Sequence, residues 1–163
     1  MKQDADMNCL EAIALCQERL VPVLSPKLLS GGNRIKHASD LLKHPLLRLD
    51  GWATWSKWFE AAGVAARARG GPVLNQASML IDAAAEGQGV VLARTTLAAW
   101  DLRHGRLVVP IDVSLPLAKT YWIVYPKLAA GDARIVTLRD WLLAEAADEG
   151  RALADKRRAR ATR

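Results

Sequence analysis

The feature that most constrains the fold of this 163-residue chain is a regular alternation of short β-prone runs with helix-forming segments. Strands are predicted at residues 19–24, 46–49, 71–75, 90–93, 106–109 and 120–125, the last having the highest β propensity. Helices are predicted at residues 76–86 and from Thr95 or Thr96 to about Leu102. Because the connections are short, this order predicts a layered α/β domain, with apolar strands such as 90–93 buried on both faces.

The remaining segments predict further helices. Residues 7–17 are rich in helix formers, and Ser25 precedes a short helix with Pro26 in its first turn. A second short helix begins near Ser39 and stops before Pro45. Trp52, Trp55, Phe59 and Ala62 fall on one helical stripe that Gly63 ends. Residues 132 to about 147 predict a final amphipathic helix, with inward positions at Ile135, Leu138, Leu142 and, as a further candidate, Trp141.

Composition excludes several classes of protein. Half of the residues are hydrophobic and a quarter are charged, which excludes wholesale disorder, and no apolar run is long enough for a membrane span. The first residues are acidic rather than apolar, so no signal peptide is predicted. Cys9 and Cys16 lie seven residues apart, which on a helix separates them by roughly 10 Å, too far for a disulfide. Reduced thiols and a cytoplasmic location are therefore expected.

The positive charge is concentrated at the C-terminus. Residues 150–163 carry six Lys or Arg and one acid, and so supply five of the six net positive charges. Such a run is typical of contact with nucleic acid or an anionic surface. The interpretation we favour is a solvated extension of the last helix, because this tail has no aromatic residue to stack on bases.

The sequence carries no pattern that indicates catalysis, a metal or a cofactor. His37, His44 and His104 have no metal-ligand spacing, and no serine lies in a nucleophile elbow. Gly87-Gln88-Gly89 follows a helix and precedes a strand, which indicates a helix end and a tight turn rather than a dinucleotide site. We therefore predict a protein that is not an enzyme.

Polar residues where predicted strands meet predicted helices indicate a binding function instead. Ser25 follows one strand, Asn75, Gln76 and Ser78 follow another, and Tyr121 opens a third. Helix N-termini favour carboxylate or phosphate groups. The alternative for Asn75 and Ser78 is simple helix capping, and for Tyr121 a place in the core.

Several segments, in collinear order over residues 10–147, resemble the effector-binding domain of LysR-type transcriptional regulators. The first is the run 18–28, Glu-Arg-Leu-Val-Pro-Val-Leu-Ser-Pro-Lys-Leu. Four more resemble the glycine-cleavage-activator-like subgroup: Leu46-Leu47 followed by the Trp52, Trp55, Trp58 and Gly63 pattern, the run 83–93, the 102–110 segment and Tyr121-Trp122-x-Val124-Tyr125-Pro126. The run Leu138-Arg139-Asp140-Trp141-Leu142 also fits the family.

The resemblance implies a fold like that of type II periplasmic binding proteins, with a small effector between two lobes. It divides the chain into a helical segment at 1–17, lobe II at 18–118, the returning strand and helix of lobe I at 119–149, and the basic tail at 150–163. The implied effector-binding residues are Ser25, Trp52, Asn75, Gln76, Ser78 and Tyr121, without a cofactor or a metal. A small carboxylate or an amino acid is the expected effector.

The resemblance also carries expectations about partners. The first part of lobe I and the winged helix-turn-helix have no counterpart here, so contact with DNA is expected only through a domain outside this chain. The incomplete lobe predicts self-association. Two alternatives stay open: a fragment that pairs with an intact regulator without binding ligand, and nucleic-acid contact through the basic tail.

Overall fold

The computed structural model describes residues 9–30, 34–49, 54–66, 71–118 and 120–161, with side chains described as far as Arg151 except at residue 149. The elements form two units. Within these ranges, the large unit holds five strands and three α-helices between Arg19 and Pro116, and the small unit holds two strands and one long helix. Among the described residues, no helix is both long and apolar enough to cross a membrane.

The large unit is built on a five-stranded sheet in the order β4-β3-β5-β2-β6. Its strands are β2 (Arg19–Val23), β3 (Leu46–Leu49), β4 (Val73–Leu74), β5 (Val90–Arg94) and β6 (Leu115–Pro116). The central strand β5 is parallel to β3 and antiparallel to β2, and β3 is also parallel to β4. The helices are α1 (Trp55–Ala61), α2 (Ala77–Ala85) and α3 (Thr95–Arg103), and short 3-10 helices cover Pro26–Leu29 and Ala38–Lys43.

Both faces of this sheet are covered by apolar side chains. Val91 and Ala93 of β5 point into a cluster formed with α2 and α3, whereas Val90 points into a second cluster formed with α1. Successive strand residues face opposite sides, so a strand buried on both sides must be apolar throughout. The prediction for residues 90–93 is thus confirmed.

Three aromatic residues of α1 anchor the second cluster. Trp55, Trp58 and Phe59 are buried, with ring centroids 5.3–5.8 Å apart. The predicted stripe omits Trp58, yet Trp58 is fully buried and its indole N–H donates to the carbonyl of Val113 at 2.9 Å. That bond lets a side chain with a polar group enter the core without an unpaired donor. The predicted stripe position Trp52 lies outside the described residues.

The small unit is an antiparallel pair of strands backed by one helix. Strand β1 (Leu10–Cys16) pairs with β7 (Tyr121–Pro126), with Ala12 opposite Val124 and Ala14 opposite Trp122. Helix α4 (Ala133–Ala161) contacts β1.

Helix α4 leaves the other face of this two-stranded sheet uncovered. Ile13, Ile123 and Tyr125 lie on the face towards α4 and are partly or fully buried. The opposite face carries the exposed residues Ala12, Ala14, Trp122 and Val124. Strand residues alternate between faces, so these four side chains form one continuous apolar surface.

The prediction of a helix over residues 7–17 is wrong, because Leu10–Cys16 forms β1. Local propensity favours a helix there, but pairing with β7 supplies ladder hydrogen bonds that propensity does not count. The geometric argument about Cys9 and Cys16 changes with it: both cysteines are free thiols, and Cys16 ends an extended strand.

Three further predictions are corrected. Residues 106–109 form no strand but one bridge between Val108 and Leu24. Helix α4 extends to Ala161, past the predicted end near residue 147, which agrees with the favoured interpretation of the tail as an extension of the last helix. Leu138 and Trp141 of that helix are exposed, whereas Ile135 and Leu142 are partly buried.

Candidate ligand-binding site

The carboxyl ends of three parallel strands meet at one edge of the large sheet, which we call the carboxyl edge. Strands β3, β4 and β5 all point towards it, and helices α1, α2 and α3 begin there. Strand β2 runs the other way, so its first residues, Arg19 and Leu20, also lie at this edge beside Arg94. In open α/β sheets this is the edge at which ligands bind.

The start of helix α2 presents three polar side chains to solvent at the carboxyl edge. Asn75, Gln76 and Ser78 are all exposed. Gln76 is the residue at the N-cap, and its side chain makes no capping hydrogen bond. Asn75 and Ser78 are therefore not the cap of this helix. The positive end of the nine-residue helix faces the edge, where it favours a negatively charged group.

A buried carboxylate organises the neighbouring start of helix α3. The side chain of Glu18 is 1% exposed, and its Oε2 lies 3.2 Å from Nη1 of Arg94. The hydroxyl of Thr96 donates to Oε1 of the same carboxylate. Since a buried charge is tolerated only when it is paired, these contacts fix Arg94 and the first turn of α3 against the segment between β1 and β2.

Arg19 is held at the same place by two hydrogen bonds. Its backbone N–H donates to Oγ1 of Thr95 at 3.3 Å, and its Nε donates to Oγ of Ser114 at 2.7 Å. The first turn of α3, the start of β2 and the segment before β6 are thus tied together. Arg19 and Arg94 therefore lie together at the carboxyl edge, beside the N-terminus of α3.

A cavity of about 490 Å³ lies between the carboxyl edge and the small unit. Its wall on the large unit includes Arg19, Thr95, Thr96 and Ala99. Its wall on the small unit includes residues of β1, β7 and α4, among them Cys16, Tyr121, Trp141, Leu142 and Glu145. The volume falls within the range of pockets that take small molecules. A second, much smaller pocket of about 30 Å³ lies at the same edge, beside Arg48, Thr54 and Leu97.

The six predicted effector-binding residues are not brought together as one group. Asn75, Gln76 and Ser78 lie at the carboxyl edge, and Tyr121 lines the cavity beside it. Ser25 is 2% exposed and lies at the opposite end of the sheet, because it follows the carboxyl end of the antiparallel strand β2. Trp52 lies outside the described residues.

Sequence reasoning missed most of the cavity wall. Thr95 and Thr96 directly follow a buried strand and open a helix, the same signal that singled out Asn75 and Ser78, so they could have been found. Arg19 and Glu145 carry no such signal, because they come together only when α4 packs beside the large unit. Over the described part of the chain, no group of three or more His, Cys, Asp or Glu side chains has a geometry fit for a metal ion.

Comparison with protein families gives a match over most of the chain. The model of the LysR substrate binding domain matches residues 1–147. The chain is 35% identical over 136 residues to the glycine cleavage system transcriptional activator of Escherichia coli K12, which covers 83% of this chain and 45% of that protein. It is 32% identical over 138 residues to the HTH-type transcriptional activator AmpR of Rhodobacter capsulatus, covering 85% and 46%. The chain thus spans about half the length of the curated relatives it matches.

Solved structures give the same result. The effector domain of AmpR from Pseudomonas aeruginosa superposes with a TM-score of 0.64 at 28% identity, covering 88% of this chain and 69% of that one. The AmpR effector-binding domain from Citrobacter freundii gives 0.65 at 26% identity, covering 85% and 68%. The mixed α/β architecture is therefore that of these effector domains, a fold of the type II periplasmic-binding-protein kind.

Proposed function

Because the chain belongs to the LysR substrate-binding domain family, we propose that it binds a small effector without transforming it, as the sensing part of a transcriptional regulator. The relatives it matches are named transcriptional activators, and the similar structures are named effector domains. A cytoplasmic location and contact with DNA through another part of the regulator accompany this proposal.

The observation that carries the proposal is the cavity between the two units. It lies where ligands bind in sheets of this type, and Tyr121, one of the residues singled out from the sequence, forms part of its wall. A ligand there contacts the large unit through Thr95 and Thr96 and the small unit through Tyr121 and Glu145. Such a ligand couples the two units, which is what a sensor requires.

The charges around this space favour a small carboxylate, and in particular an amino acid. Arg19 and the N-terminus of α3 suit a carboxylate group. Glu145 on the opposite wall suits an ammonium group, and Trp141 and Leu142 offer an apolar surface beside it. Tyr121 has a hydroxyl that both donates and accepts hydrogen bonds.

Glu18 provides the route by which a bound ligand affects the rest of the chain. Its carboxylate lies on the segment that joins β1 of the small unit to β2 of the large unit, and it holds Arg94 and Thr96. A ligand that engages the first turn of α3 therefore acts on the connection between the units. The effect of the ligand on this connection is the change that the rest of the regulator senses.

The proposal is tested by thermal unfolding in the presence of single compounds. The panel consists of the twenty L-amino acids together with acetate, succinate, 2-oxoglutarate, citrate and benzoate. A ligand at 100 times its Kd stabilises the folded chain by about 2.7 kcal/mol, which raises the melting temperature by several degrees. Tyr121→Phe and Ser78→Ala are expected to weaken the strongest response.

Ser39→Ala is the matched control for Ser78→Ala. Ser39 is also an exposed serine in a short helix, but that helix precedes β3 and so lies away from the carboxyl edge. The control should leave the response unchanged. A panel in which no compound raises the melting temperature, or a response that Ser39→Ala weakens as much as Ser78→Ala, would contradict the proposal.

A further inference from the structure

Helix α4 continues past the part of it that lines the cavity. Its residues between Trp141 and Gly150 contribute to the cavity wall, and the helix then runs on to Ala161. At 1.5 Å per residue, the stretch beyond Gly150 is about 16 Å long. We define the basic end as residues 156–163, which hold five Lys or Arg and no acid. The proposed effector site uses none of these residues.

We propose that the basic end binds the phosphate backbone of duplex DNA, as a contact separate from the DNA-binding domain expected outside this chain. Residues 1–155 have a net charge of +1, so the basic end supplies nearly all of the positive charge. Its helical part, residues 156–161, places four Lys or Arg within about 9 Å of helix. Duplex DNA carries one negative charge per about 1.7 Å of its axis, and Lys or Arg that neutralise phosphates release condensed counterions. The two charge densities are therefore of similar magnitude and opposite sign.

The helical backbone of the basic end suits this partner. Successive positions of an α-helix are turned by about 100°, so positions 156, 157, 158 and 160 lie on several sides of α4 rather than on one. The major groove of B-DNA is about 12 Å wide and admits an α-helix, with a phosphate backbone along each of its two borders. Basic positions on several sides of a helix match two such backbones, whereas a flat anionic surface meets one side of a helix only.

The uncharged residues of this stretch favour a duplex over a membrane or a single strand. From Arg151 to Ala161 the sequence has one large apolar residue, Leu153, and its other apolar residues are alanines. A helix that lies on a membrane buries a face of large apolar side chains, which this stretch lacks. It also lacks aromatic residues, on which the bases of a single strand stack. Contact with the backbone of a duplex requires neither feature.

Fluorescence anisotropy of the full chain with a labelled DNA duplex of about two helical turns tests the inference. We expect binding without sequence preference, with a Kd of roughly 1–100 μM at physiological salt, that weakens steeply as the salt concentration rises. The variant that combines Lys156→Gln, Arg157→Gln and Arg158→Gln should bind roughly tenfold or more weakly. The slope of log Kd against log salt concentration should fall by about three, since each lost phosphate contact removes about one.

The matched control combines Arg34→Gln, Lys57→Gln and Lys127→Gln, which alters three exposed bases elsewhere and removes the same net charge. It should leave the Kd within about twofold of the wild type, because the contacted phosphates stay neutralised. Circular dichroism verifies that each variant is folded, and a chain that ends at Asp155 should lose binding as the first variant does. A wild-type chain that does not bind the duplex, a control that loses as much affinity as the first variant, or tighter binding to phosphatidylserine vesicles or to single-stranded DNA than to the duplex, would overturn the inference.

Discussion

The large and small units are built from the same kinds of element but bury them to different extents. The large unit has a helix-covered sheet with a cluster on each side, and Trp58, Phe59, Leu41 and Val90 within it are fully buried. In the small unit, Tyr125 is the one large apolar residue of β1 and β7 with less than a tenth of its surface exposed, among the residues described. Independent stability therefore belongs to the large unit, whereas the small unit depends on what packs against it.

Replacement of a core tryptophan gives the largest test of this difference. Trp58→Ala removes a fully buried ring and its hydrogen bond to Val113, and should lower the free energy of unfolding by about 3–5 kcal/mol. Trp122→Ala in the small unit should change it by less than about 0.5 kcal/mol at concentrations where the chain is monomeric. Urea unfolding followed by circular dichroism measures both; equal losses would show that the units do not differ in this way.

The next largest effect is expected at the buried carboxylate beside the connection between the units. Glu18→Gln removes the charge that pairs with Arg94, and should cost about 2 kcal/mol of unfolding free energy. The cost falls below that of a fully buried pair because Arg94 reaches solvent. Glu60→Gln, an exposed glutamate of α1, is the control and should be nearly neutral. If Glu18→Gln leaves the free energy of unfolding unchanged, the pair of Glu18 and Arg94 does not stabilise the connection between the units.

Alanine substitutions at two glycines, one in each unit, test the backbone conformation of the two turns. Gly87 ends α2 with a φ of +82°, a conformation that costs an L-residue about 1–2 kcal/mol, although an added Cβ would meet nothing within 4 Å. Gly87→Ala should therefore destabilise the chain by about 1 kcal/mol. At Gly131, before α4, φ is not positive and the space is open, so Gly131→Ala should be neutral or slightly stabilising. The melting temperatures of the two variants should move apart, and identical shifts would refute the conformational argument.

The smallest effects are expected from two partly exposed aspartates, one in each unit. Hydrogen bonds from Lys43 and from the backbone of His37 and Lys36 lower the pKa of Asp40 well below its usual value of 3.8. Hydrogen bonds from Arg134 likewise lower the pKa of Asp132. A lowered pKa means that each ionised carboxylate stabilises the folded state above about pH 4, and that this contribution fades as the pH falls towards the folded-state pKa.

Asp40→Asn and Asp132→Asn should each lower the melting temperature slightly at pH 7. In each variant the melting temperature should also fall less steeply between about pH 4 and pH 2, because the variant has no carboxylate to protonate at that position. Since both aspartates lie at the surface and are partly exposed, we expect the two effects to be small and additive. Melting curves at a series of pH values measure them. If the melting temperature of the variants declines as steeply as that of the wild type, these carboxylates do not contribute to the pH dependence of stability.

The sequence predicts the large unit well because its signals are local. Pro26, Pro45 and Gly63 mark the ends of elements, and the short apolar run at residues 90–93, which follows a glycine turn, favours a buried strand. The small unit is predicted poorly, because β1 is a strand only through its partner β7, more than a hundred residues later. Helix propensity in Leu10–Cys16 is a correct local signal that a distant partner overrides.

The candidate site is predicted in part for the same reason. A strand end followed by a helix start is visible in the sequence, and it correctly singles out Asn75, Gln76 and Ser78 as residues at the carboxyl edge. The sequence does not reveal strand direction, so Ser25 has the same local pattern but lies at the opposite end of the sheet. The far wall of the cavity, with Trp141 and Glu145, depends on the packing of α4 and has no local signature.

The central claim is that a small carboxylate or amino acid binds between the carboxyl edge and the small unit. The most direct measurement is a titration of ¹⁵N-labelled chain, followed by two-dimensional NMR, with each compound of the panel that raises the melting temperature. We predict that the largest shifts fall on amides of Asn75–Ser78, Thr95, Thr96 and Tyr121, with little change around Ser25. Shifts centred on Ser25 or on the surface of α3 around Trp100, or no saturable shifts at all, would contradict the claim.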